Sequence, residues 1–62
     1  MNVYTAVALL DEKLTALERL ERQREEAIQA GDRFRAHGIL LDEKKLGREI
    51  QRIADSVQDG EI

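Results

Sequence analysis

The sequence predicts an all-α chain, a two-helix antiparallel hairpin that pairs with a second copy into a four-helix bundle. Three observations carry that expectation. Apolar residues recur at alternating spacings of three and four through both halves of the chain, no proline interrupts either run, and a Gly-Asp pair at 31–32 joins a helix stop directly to a helix start.

The first run holds Val3, Val7, Leu10, Leu14 and Leu17, five residues on one stripe of a helix expected to span 3–30. Its register continues through Glu21, Arg24 and Ile28, so toward its end the stripe either loosens or shifts to the neighbouring line of Leu20 and Ala27. A Glu21–Arg24 ion pair, or a polar layer that sets the register, is expected there. Asn2 stands where an N-cap belongs, with a side-chain oxygen able to accept from a first-turn amide. Gly31 tolerates the left-handed conformation that ends helices, and Asp32 can cap the next one. A turn that short, 31–32, makes the two helices antiparallel neighbours.

The second run is Ala36, Ile39, Glu43, Leu46, Ile50, Ile53 and Val57, on a helix expected over 33–57. At 1.5 Å per residue the two helices would be about 42 and 38 Å long, matched well enough to pack along their length. Gly38 leaves an alternative open, a break that starts the second helix near Ile39, because Gly inside a helix costs about 1 kcal/mol against Ala. Gly47, with Ala54 at the same heptad position, is expected to let two helices approach closely. Residues 1–57 then form a single hairpin domain, and 58–62 an acidic tail expected to fray.

A monomer of 62 residues has little core. Domains of that size bury only about 60% of the surface that the unfolded chain exposes. With no Cys and a single His, a disulfide, a thiolate zinc site and an imidazole cluster are all excluded as staples. Oligomerisation or docking on a partner remains. The self-association core is expected at Val7, Leu10, Leu14, Leu17, Ile39, Leu46, Ile50 and Ile53. Leu9, Leu20, Phe34, Leu40 and Leu41 are surplus to two narrow stripes and would form an exposed patch on a monomer. Residues 3–30 hold four basic and six acidic side chains, and 33–52 hold six basic and three acidic, so the helices should attract. Along each helix, Glu18 can pair with Arg22 and Lys45 with Glu49.

The formal charge of −3 argues against whole-molecule attraction to nucleic acid or to an anionic membrane. The apolar run Val3–Leu10 has no basic residue before it and is far short of the roughly 20 residues that cross a bilayer, so it reads as a helix start. The lack of cysteine fits a reducing cytoplasm. His37 has no nucleophile with a claim on it, and Phe34 occupies the position that a Glu-x-x-His metal motif would need, so no catalytic, cofactor or metal site is expected.

Arg33, Phe34, Arg35 and His37, with Lys44, Lys45 and Arg48, form the candidate patch for nucleic acid, since Arg grips phosphate and Phe can stack a base. The expected shape is similar to that of Rop-type proteins, helical-hairpin dimers that bind RNA on one bundle face. No motif is shared, so the likeness is of shape alone. The order of Leu17, Glu18, Ala27, Phe34 and Ala36 resembles that of the UVR motif, a short hairpin through which its proteins associate. That motif's Phe-Glu pair is Phe34-Arg35 here, and Ala36 is followed by His37, so no membership is claimed. The leading expectation is a non-enzymatic interaction module, a regulator or inhibitor that binds another protein as a homodimer. Its partner-facing residues are expected to be Arg33, Phe34, Arg35, Leu40 and Leu41. A nucleic-acid-binding bundle using the basic second helix is the alternative.

Overall fold

The computed structural model describes residues 2–58, which form two helices, α1 (Val3–Gln29) and α2 (Arg33–Gln58), packed against each other as a hairpin. Both helices draw on Ala, Leu, Glu, Lys, Arg and Gln, the residues that lose least on entering a helix. Of the tail expected to fray, Gln58 is the last residue of α2, and 59–62 lie outside the described residues.

Local chemistry sets each helix end. The Asn2 side-chain oxygen accepts from the Thr5 N–H at 2.8 Å, so one first-turn amide that has no intrahelical partner is satisfied. At the far end of α1, Gly31 sits at φ 78°, the only positive φ among the described residues. That conformation lets the Asp32 N–H reach the Ala27 carbonyl at 2.9 Å while the Gly31 N–H donates to Ile28 at 3.0 Å, the paired bonds of a Schellman stop. Asp32 then opens α2, its carboxylate accepting from the Arg35 N–H at 3.0 Å. α2 runs unbroken through Gly38, so the alternative start near Ile39 is not adopted. Gly47 differs from expectation too: a methyl group placed there would meet nothing within 4 Å, so the hairpin makes no close approach that requires glycine.

The face that α2 turns inward is the stripe read from its sequence. Ala36 and Ile39 are buried, and Glu43, Leu46, Ile50, Ile53 and Val57 are half-buried. α1 is rotated from expectation. Its inward face runs through Ala6, Lys13, Leu20 and Ala27, seven apart, with Leu9, Ala16 and Gln23 beside them. Ala6 and Ala27 are the buried residues of α1, and Leu20 packs on the cluster of Ala27, Ala36 and Ile39. Leu10 and Leu17 are half-buried at its edge, whereas Val3, Val7, Leu14 and Ile28 lie between 46% and 55% exposed. Alanines alternate with Leu9 and Leu20 on the inward face of α1, while Val7, Leu14 and Ile28 lie on its flank.

The molecule is a rod of 44 × 15 × 12 Å, with a radius of gyration of 14.2 Å. A compact domain of this length would have about 10.6 Å. Its surface of 4911 Å² likewise exceeds the roughly 4,100 Å² of a compact monomer of equal mass.

Candidate interaction surfaces

Two ion pairs cross the hairpin. Arg24 Nε donates to Glu43 Oε1 at 2.8 Å, and Lys13 Nζ to Glu49 Oε2 at 2.9 Å. Arg24 therefore bonds the opposite helix in place of Glu21, and Glu49 bonds Lys13 in place of Lys45 on its own helix. Glu43 is the most enclosed of the four side chains, 11% exposed, so its charge depends on Arg24 for compensation. The hydrogen bond and charge of Glu43 hold the Arg24 guanidinium above its ordinary value. The hydrogen bond and charge of Lys13 hold the Glu49 carboxyl below its ordinary range. The sequence signal for these pairs was available: Lys13 occupies the heptad position of Ala6, Leu20 and Ala27, where a lone cation needs a partner.

These pairs polarise what is left outside. α1 carries six carboxylates, and with Lys13 and Arg24 engaged only Arg19 and Arg22 remain to balance them. On α2, Glu43 and Glu49 are engaged, so six bases face only Asp42 and Asp55. The outward surfaces of the two helices thus have opposite sign.

The two broad faces of the hairpin are also unlike. A residue that follows a seam position lies about 100° further round its helix. On antiparallel helices that step turns in opposite senses, so it leads to the same face of the hairpin from both sides. On this face α1 shows Val7, Leu14, Glu21 and Ile28, and α2 shows His37, Leu40, Lys44 and Gly47. Further out lie Asp11, Glu18 and Glu25 on the α1 edge and Phe34, Leu41 and Arg48 on the α2 edge, while Arg33 shares the line of Leu40 and Gly47. The residues that precede the seam positions of α1, Thr5, Glu12, Arg19 and Glu26, form an entirely polar opposite face, joined there by Arg35, Asp42 and Glu49 of α2. One face is apolar with a charged rim; the other carries no large apolar side chain.

The expected partner-facing residues do not share one surface. Arg33, Phe34 and Arg35 are the exposed first residues of α2. Phe34 is 92% exposed, and it stands two residues from buried Ala36, about 200° round the helix. Leu41 stands two residues from Ile39 on the same outer side and is half exposed. Leu40 instead lies four residues from Ala36, on the shoulder of the seam, and is half-buried. Of the expected self-association core, Ile39, Leu46, Ile50 and Ile53 line the hairpin's own seam, Leu10 and Leu17 its edge, and Val7 and Leu14 the exposed apolar face.

Among the described residues no group of three or more His, Cys, Asp or Glu could hold a metal ion, and no helix is long and apolar enough to cross a membrane. Protein-family models, curated proteins and solved structures give no match to the chain.

Proposed function

We propose that this chain is a non-enzymatic protein–protein interaction module, a regulator or inhibitor that acts as a homodimeric helical hairpin. The observation that carries the reading is the separation of two apolar surfaces on one thin rod. The flank of α1 at Val7, Leu14 and Ile28 suits a second copy, and the outer side of α2 at Phe34 and Leu41 suits a different protein. A Phe that is 92% exposed does nothing for the hairpin that bears it, whereas aromatic anchors with Arg beside them dominate protein interfaces. Phe34 lies between Arg33 and Arg35.

The test pairs light scattering with partner capture. Wild-type protein should be a dimer, and Phe34→Ala with Leu41→Ala should abolish capture of a partner protein while leaving mass and helicity unchanged. Unchanged capture would overturn the assignment of the outer side of α2, and a monomeric wild type would overturn the dimer. The basic side of α2, with Arg33, His37, Lys44 and Arg48, favours nucleic acid as the second reading. A mobility shift with RNA or DNA that weakens steeply with salt and disappears on substitution of Arg33, Lys44 and Arg48 would support it.

A further inference from the structure

The homodimer proposed above leaves open which helix of one hairpin meets which helix of the other. We infer that α1 packs against α2 of the second copy, with both Gly31 turns at the same end of the bundle. The inference rests on the homodimer and adds its topology.

Two hairpins stacked by their apolar faces under a two-fold axis have two arrangements. An axis across the bundle sets α1 on α1 and α2 on α2, with the turns at opposite ends. An axis along the bundle sets α1 on α2 twice, with the turns together. Both cover Val7, Leu14 and Ile28, so burial of apolar area does not choose between them.

Charge does choose. In the first arrangement the Asp11, Glu18 and Glu25 rim of α1 faces its own copy, and so do the bases Arg33, Lys44 and Arg48 of α2. Each α1 already carries an excess of carboxylates once Lys13 and Arg24 are engaged by α2, so two such rims repel. In the second arrangement each residue stays at its own level along the rod. The internal Arg24–Glu43 pair marks that level near the turn, and it brings Glu18, Glu21 and Glu25 opposite the stretch from His37 to Arg48 of the second copy. The contacts are made twice, and each sets Glu18 and Glu21 against the stretch that holds Lys44 and Arg48. Leu40, Gly47 and Ala54 line the shoulder of α2 that would receive Val7, Leu14 and Ile28, and a methyl placed at Gly47 finds open space in the isolated hairpin.

The chain has no cysteine, so one engineered thiol reports the topology without a background signal. Gln29→Cys, at the exposed end of α1, would be spin-labelled and the label-to-label distance measured in the dimer by pulsed electron resonance, with mass by light scattering on the same sample. Turns together predict a distance below roughly 25 Å, since packed helix axes lie 8–10 Å apart and the two α1 helices would be diagonal. A dimer with labels about 40 Å apart, the length of a 27-residue helix, would overturn the topology and leave the homodimer standing. A monomer would overturn both.

Discussion

Gly31 and Gly38 lie seven residues apart, and the same substitution at each should move stability in opposite directions. At Gly31 the backbone φ is 78°, and a methyl would find nothing within 4 Å, so the cost of Gly31→Ala is backbone strain alone. An L-residue in the left-handed region costs about 1–2 kcal/mol. At Gly38 the backbone is helical and the space equally open, so Gly38→Ala should gain about 1 kcal/mol by removing a residue with excess freedom in the unfolded chain. With an unfolding entropy of roughly 130 cal/mol/K for a chain of this length, 1 kcal/mol corresponds to about 8 °C in Tm. Thermal unfolding followed by circular dichroism, at one fixed protein concentration, should show Gly38→Ala melting about 8 °C higher and Gly31→Ala about 8–16 °C lower. A rise with Gly31→Ala would mean that the turn is not held in the left-handed region. A fall with Gly38→Ala would mean that the helix is interrupted there.

Three further outcomes follow from the caps and ion pairs. Asp32→Ala should lower stability by about 1 kcal/mol in the same melts, and Asp32→Asn should restore most of it, because either oxygen can accept from the Arg35 N–H. The Glu49 carboxyl is held below its ordinary range by Lys13, so its contribution is present above the unfolded-state value near 4.3 and is lost as pH falls through the lower folded-state value. Glu49→Gln should therefore reduce the drop in Tm between pH 5 and pH 2; an unchanged drop would show that the pair does not form in solution. Arg24→Met should destabilise the hairpin by stranding Glu43, and adding Glu43→Leu should recover stability, since an apolar pair needs no compensation. If the double substitution is no better than the single one, the cost lies in lost packing instead.

The hairpin was legible in the sequence because its determinants are local. Helix propensity, the missing proline, the Asn2 and Asp32 caps and the left-handed Gly31 act within a few residues, and each needs only its neighbours to be read. The inward face of α2 was legible as well, because large apolar residues mark it with little competition. The inward face of α1 was decided by tertiary structure. Two apolar lines run along that helix, Val3–Val7–Leu10–Leu14–Leu17 and Ala6–Leu9–Ala16–Leu20–Ala27, and a hydrophobicity pattern favours the line with the larger side chains. Packing favoured the alanine line. That register lets Lys13 and Arg24 reach Glu49 and Glu43. The ion-pair partners follow from the same choice, since contacts 36 and 19 residues apart exist only once the helices are in register. Sequence by itself determined that there would be two helices and where they would turn; the packing of one on the other determined which apolar stripe stayed outside.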